Sequence, residues 1–141
     1  MRRLKWSPGH AVHIPEVDDE HQLLFRLCNE LQSALSSGAR SRQLNSILSK
    51  LSDHMAAHFA HEERDMRASG YSLYEWHRRQ HRAAHSRLAL LEQQVRSFDR
   101  AGALEVLGAF CRWLDDHIRL ADRMLGAHLR NRQRELAVHG V

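Results

Sequence analysis

Apolar residues recur every three or four positions along most of the chain, the spacing that lines up one face of an α-helix. In the first such stretch, from Asp18 to about Ser37, the inward positions are His21, Leu24, Phe25, Cys28, Leu31 and Leu35. Asp18 is the expected N-cap and Gly38 the stop. A second stripe starts near Ser41 and runs through Leu44, Ile47, Leu48, Leu51, Met55, His58 and Glu62 to a break at Ser69-Gly70. The third, from about Leu73 to Phe98, carries His77, His81, Leu88, Leu91 and Val95. Asp99 to Gly102 interrupts the pattern, and a fourth stripe follows with Leu104, Leu107, Phe110, Trp113, Leu114 and His117.

Short connections between amphipathic helices make sequence neighbours antiparallel, so the expected fold is all-α, an up-down-up-down antiparallel four-helix bundle. Residues 1–17 hold both prolines, Pro8 and Pro15, and no helical period. They read as an N-terminal arm anchored by Trp6. Residues 18–125 form the bundle and 126–141 a basic tail, whose composition does not decide whether it is helical. The whole chain, 1–141, reads as one domain, because 141 residues at 43% hydrophobic content can bury a core without disulfides.

Charge and cysteine usage narrow the function classes. The net charge of +4 comes from dispersed arginines, with local runs at Arg2-Arg3-Lys5 and from Arg130 to Arg134. Aromatic residues do not interleave with them as a nucleic-acid groove requires, so nucleic acid is not an expected partner. No apolar run approaches the roughly 20 residues of a membrane span, and no apolar segment follows the basic N-terminus. Cys28 and Cys111 are isolated thiols outside any C-x-x-C pattern. A cytoplasmic, reducing location is expected.

The candidate chemistry interrupts the apolar stripes. His58 and Glu62 are four residues apart, as are His77 and His81, and each pair therefore projects to one side of its helix. His21, His117 and Asp122 complete a set of five imidazoles and two carboxylates. That is too many donors for one four-ligand zinc site, and it suits two metal ions bridged by the carboxylates. Iron, zinc, copper and manganese all accept such donors. With two ferrous ions, two carboxylates and a hydroxide, the balance leaves a small positive charge that favours a small anionic ligand. A histidine-rich set points to reversible binding, whereas carboxylate-rich sites suit oxidative chemistry. His117 and Asp122 are five apart, about 140° around an α-helix, so the helix must widen or end between them.

The remaining histidines read differently. His10, His13, His128 and His139 are expected on the surface, and His61 and His85 at the edges of the donor faces. His54, one turn before His58, is expected to face inward beside the site. Glu63 reads as a solvated or salt-bridged acid.

These residues together resemble the bacterial hemerythrins, from Trp6 to about Leu125. The resemblance rests on Trp6, Asp18-x-Glu20-His21, His58-Phe59-x-x-Glu62-Glu63-x-x-Met66, Gly70-Tyr71, His77-x-x-x-His81 and Trp113-Leu114-x-x-His117-Ile118-x-x-x-Asp122. It implies a hemerythrin-like domain with two non-haem irons and a bridging oxo or hydroxo group. His77, His81 and His117 would bind one iron, His21 and His58 the other, and Glu62 and Asp122 would bridge them. Trp113, Leu114, Ile118 and Phe59 would line an apolar oxygen pocket. The implied function is reversible dioxygen binding for transport, storage or delivery, by a monomer whose protein partner, if it has one, the sequence does not name. Two rival functions share the site: a sensor of oxygen or redox state acting through a partner, and an enzyme turning over peroxide or nitric oxide. The absence of an output domain weighs against the first, and the absence of a positioned acid or base against the second. The chain departs from the family pattern at His13, where glycine is common, at His54, often tyrosine, and at Ala84, often bulkier.

Overall fold

The computed structural model describes residues 3–138, all helix, turn or loop; Arg2 and His139 lie outside them. A short 3-10 turn, Pro8–His10, precedes helices α1 (Pro15–Ser36), α2 (Ser41–Ala68), α3 (Tyr74–Arg96) and α4 (Arg100–His117). A wider π-helical segment, Ile118–Asp122, then joins α4 to α5 (Arg123–Val138) without a break. The tail is thus helical through Val138. Helix α1 starts before Asp18 because Pro15 takes its first position, where a missing N–H costs nothing. Asp18 is therefore not the N-cap. Its carboxylate instead accepts the N–H groups of Val12 at 2.8 Å and His13 at 3.2 Å, tying the arm to the helix start.

Glycine in the left-handed region ends α1 and α2, with φ of 76° at Gly38 and 65° at Gly70. Each turn is closed by a bond from the next N–H back into the helix, Ala39 to Ala34 O and Tyr71 to Met66 O, both 3.0 Å. Helix α3 ends the same way, but the left-handed position is Phe98, φ 58°. Its ring is 77% exposed, so little packing offsets the backbone strain. Asp99 caps α4 by accepting the Gly102 N–H at 2.8 Å.

Helix α1 packs on α2 and α4, and α3 packs on the same two, which is the expected up-down-up-down arrangement. One half of the interior is apolar, built on Leu31, Leu51, Met55, Leu91, Leu107 and Phe110, all fully buried. Burying one such side chain stabilises by about 1.5–3 kcal/mol. The other half of the interior is polar: His21, His58, Glu62, His77, His81, His117 and Asp122 are all buried.

The arm is held at both ends of its path. Asn29 clamps Leu4 by donating to its carbonyl and accepting its N–H, both at 2.8 Å. His10, expected at the surface, is fully buried. Its Nδ1 accepts the Ser7 N–H at 3.0 Å, so Nε2 carries the proton and donates to Asp115 Oδ1 on α4 at 2.5 Å. Trp6 stacks on this imidazole, and Phe25 meets both rings edge-on. Nothing in the spacing of His10 separates it from a surface histidine; the contact that buries it spans more than a hundred residues. His128 also departs from the surface expectation, because it is half-buried and bonds Ser69 O at 3.2 Å. His13 is exposed, and its φ of 62° explains why glycine suits that position.

Replacing Phe98 by Gly relieves the left-handed strain at the end of α3. We expect Phe98→Gly to stabilise the fold by about 0.5–1 kcal/mol, the left-handed penalty less the added entropy of glycine. Chemical denaturation measures this; unchanged or reduced stability would show that the Phe98 ring contributes packing.

Candidate metal centre

Each helix delivers donors from its buried stripe at the same level of the bundle. His21 comes from α1, His58 and Glu62 from α2, His77 and His81 from α3, and His117 from the end of α4. Asp122 arrives on the π-helical segment. In that segment hydrogen bonds span five residues instead of four, so Asp122 lies roughly one turn after His117 and faces the same way. The distortion expected from the five-residue spacing is this one.

The donors form two groups that share both carboxylates. Glu62, His77, His81, His117 and Asp122 make one; His21, His58, Glu62 and Asp122 make the other, with the donor atoms in each lying within 4.8 Å of one another. Asp122 turns Oδ1 toward His77 and His117, each 3.1 Å away, and Oδ2 toward His21 at 3.1 Å. Glu62 does likewise, with Oε1 3.0 Å from His81 and Oε2 3.5 Å from His58. Each carboxylate thus presents one oxygen to each group. The seven residues singled out in the sequence are all brought together.

Acceptors outside the cluster set the direction of three imidazoles. His58 Nδ1 donates to Glu20, His81 Nδ1 to Glu63 at 2.9 Å, and His117 Nδ1 to the Gln80 side-chain oxygen at 2.8 Å. With the proton held on Nδ1, the Nε2 lone pair of each ring faces the interior, as a metal ligand needs. Glu63 also lies 3.6 Å from Arg78, so it is a salt-bridged acid as expected, but with a partner inside the site. The roles of Glu20 and Gln80 escaped sequence reasoning. Each immediately precedes a candidate ligand, about 100° around the helix, which aims it at the neighbouring helix and leaves no periodic signal.

The donor set fits a cation on a direct observation. Seven buried atoms of the cluster have no hydrogen-bond partner: His21 Nδ1, Glu62 Oε1, both ring nitrogens of His77, His81 Nε2, His117 Nε2 and Asp122 Oδ1. Unmet polar atoms are rare inside proteins and cost about 1–3 kcal/mol each. Except for His21 Nδ1 and one nitrogen of His77, these atoms converge on the space between the two carboxylates. Metal ions there would satisfy them.

Aromatic rings wall one side. Phe59 stacks on His81 at 3.9 Å between centroids, and Trp113 stacks on His117 at 4.6 Å. Phe59 and Trp113 meet edge-to-face at 6.2 Å. Leu114 and Ile118 are buried in the apolar cluster that also holds Phe59 and Ala84. His85 is exposed and packs edge-on against Phe59. His61 is half-buried on the outer side of α2, 3.4 Å from both Glu20 and Asp65.

His54 does not face inward. It is exposed, at the mouth of a cavity of about 180 Å³ between α1 and α2, with Glu20, Leu23, Ala57, His58 and His61 around it. Steps of four residues drift by about 40°, so the stripe Glu62, His58 cannot continue through His54 and remain buried. Met55, three residues before His58 and fully buried, takes the inward position.

An antiparallel four-helix bundle with a buried His/Glu/Asp cluster at one end defines a helical cation-binding protein. The family model for the Hemerythrin HHE cation binding domain matches residues 12–129, and this chain belongs to that family. It is similar to the bacteriohemerythrin of Methylococcus capsulatus, with 28% identity over 131 residues, 89% of this chain and 96% of that protein. Similarity to the bacteriohemerythrin of Pseudomonas aeruginosa is 27% over 122 residues, 86% of this chain and 78% of that one. A crystal structure of a leucine-to-phenylalanine mutant shares the fold, with a TM-score of 0.78, 23% identity and coverage of 92% and 98% of the two chains. No helix among the described residues is long and apolar enough to cross a membrane.

Protonation follows from this crowding. Burial disfavours charge on His58, yet Glu62, Glu20 and Asp122 outweigh it and hold its pKa well above the usual histidine value. His77 is likewise opposed by burial but raised to about 9 by Asp122 and Glu62. Burial and Asp122 push Glu62 upward, but His58 and His77 win and hold it well below the carboxylate range. Asp122 is opposed by burial and lowered by His117, His21 and His77. The raised His77 stabilises the metal-free fold at lower pH and loses that contribution as pH rises through about 9, and His58 loses its own well above the usual histidine range. The lowered carboxylates stabilise it above their ordinary range and lose that contribution in acid. At pH 7 the metal-free site therefore holds protons that a metal must displace. We expect metal uptake at pH 7 to release at least one proton per chain, and fewer above pH 9. Calorimetric titration in two buffers of different ionisation enthalpy counts them; identical heats in both buffers would contradict this protonation pattern.

Proposed function

We propose that this chain binds dioxygen reversibly at two non-haem irons held by His21, His58, Glu62, His77, His81, His117 and Asp122. The observation that carries this reading is the inequality of the two donor groups: five protein donors on one side and four on the other, with both carboxylates common to them. The side with fewer protein ligands, that of His21 and His58, would leave a coordination position for a small ligand. Two ferrous ions held there would supply the two electrons that reversible dioxygen binding uses.

The residues of the chain supply the rest. Glu62 and Asp122 would hold both ions, and Glu20, Glu63 and Gln80 fix the imidazoles of His58, His81 and His117. Phe59, Trp113, Leu114 and Ile118 give the site an apolar wall on its His81 and His117 face that limits water. The nearest acid on the His21–His58 side, Glu20, is engaged by His58. The engagement of Glu20 and the apolar lining support binding rather than turnover. Similarity to the bacteriohemerythrins supports reading the chain as an oxygen carrier, store or delivery protein. Two free buried thiols support a reducing, cytoplasmic setting, and the single run of packed helices supports one domain over residues 1–141.

Reduced, iron-loaded protein should be nearly colourless under anaerobic conditions and gain a visible charge-transfer band on exposure to oxygen. Removing the oxygen should abolish the band over repeated cycles. A band that never forms while peroxide is consumed catalytically would replace this reading with an enzyme.

A further inference from the structure

One of the seven buried donors is approached from solvent along polar side chains. The cavity of about 180 Å³ between α1 and α2 has exposed His54 at its mouth, Glu20 and His61 on its wall, and buried His58 at its inner end. Asp65 lies one turn beyond His61 on α2. The side chains of Asp65, His61 and Glu20 are each about one-third exposed, and that of His58 is 3% exposed. His61 Nε2 is 3.4 Å from Asp65 Oδ2, and its Nδ1 is 3.4 Å from Glu20 Oε1. The other oxygen of Glu20, Oε2, accepts from His58 Nδ1. Across the His58 ring, Nε2 is 3.0 Å from His21 Nε2 and 3.5 Å from Glu62 Oε2, inside the four-donor group. Donor atoms thus follow one another from the surface to the centre.

The two 3.4 Å separations are long for hydrogen bonds. They match two donors sharing one cation, because bonds of about 2.0–2.2 Å to nitrogen and oxygen at a tetrahedral angle put the donors about 3.4 Å apart. The outer partners of the other two imidazoles differ. Glu63, behind His81, lies 3.6 Å from the guanidinium of Arg78, and Gln80, behind His117, is neutral. Phe59 and Trp113 stack on those same two rings and present carbon to the surroundings. A hydrated divalent cation loses its solvation against such a wall. On the α1–α2 side it exchanges water for carboxylate and imidazole, donors that first-row metals accept. Among the described residues, the ion pairs of Glu20 are with histidines alone.

We propose that Asp65, His61 and Glu20 form the path by which divalent first-row metal ions enter the buried centre, with His58 as the receiving donor. The path rests on the seven-residue cluster being a metal centre and does not depend on dioxygen. Glu20 has two tasks: one oxygen holds the His58 ring, and the other is offered to a cation arriving from His61. His54 and Ala57 border the mouth, so their bulk sets how wide it is. Entry and exit share the same donors, and the path therefore also sets the rate at which metal leaves.

The test is cobalt(II) uptake by the metal-free full chain, followed in stopped flow by visible absorption, with the ions counted at the end point. His61→Ala combined with Asp65→Asn should slow uptake by about tenfold or more, the scale of electrostatic guidance into a charged cleft, and still end at two ions per chain. Ala57→Trp narrows the mouth without removing a donor and should slow uptake as well. Glu105→Gln removes an exposed carboxylate on α4 about 18 Å along the helix from His117, and should leave the rate unchanged. Chelator-driven loss of cobalt from the loaded protein should slow in the same variants, a measurement that starts from the metal-bound fold. Uptake at the unmodified rate in the double variant or in Ala57→Trp, or equal slowing in Glu105→Gln, would overturn the path. An end point below two ions in the double variant would make His61 or Asp65 a ligand of the centre and overturn it too. If the unmodified chain takes up no cobalt, the reading of a metal centre fails, and the path with it.

Discussion

Seven donors that share one small buried volume are the constraint on which the rest of this protein depends. Their unmet polar atoms would cost on the order of 10 kcal/mol if left without partners, comparable to the whole net stability of a domain. Ion pairing between protonated imidazoles and the two carboxylates offsets part of that in the metal-free state. A pair of cations would offset it more fully, because the donor atoms that face the interior would then have partners and the protons would be released. The four helices are arranged so that every one of them contributes to this volume, and the apolar half of the bundle holds them at that spacing.

Two local departures from regular structure serve the same end. The π-helical segment Ile118–Asp122 brings Asp122 to the face already occupied by His117, which a regular helix could not do. The N-terminal arm is locked onto α4 by the His10–Asp115 bond and onto α1 by the Asn29 clamp. It covers the stretch of α4 just before His117, where Cys111 and Asp115 lie.

Much of this was readable from spacing alone, for physical reasons. The helices were legible because their apolar stripes continue into the donors, so that one periodicity reports both the core and the site. The π-helical segment was legible because His117 and Asp122 cannot share the face of an α-helix at a five-residue spacing. What escaped depended on contacts between distant parts of the chain. The spacing of His10 suggests a surface residue, whereas Asp115, Trp6 and Phe25 bury it. The one-turn spacing from His58 suggests an inward His54, but it is exposed, because the helical drift hands its place to Met55. The outer partners Glu20 and Gln80 lie off the buried stripe, where periodicity carries no information.

The two carboxylates are shared by both donor groups, so two metal ions held there would depend on each other. Iron counted per chain in the unmodified protein and in Asp122→Ala tests it most directly. Two irons are expected in the first and fewer than one in the second, since both donor groups lose a ligand and their link together. One iron in the unmodified protein, or a variant that keeps one iron at full occupancy, would contradict a shared site.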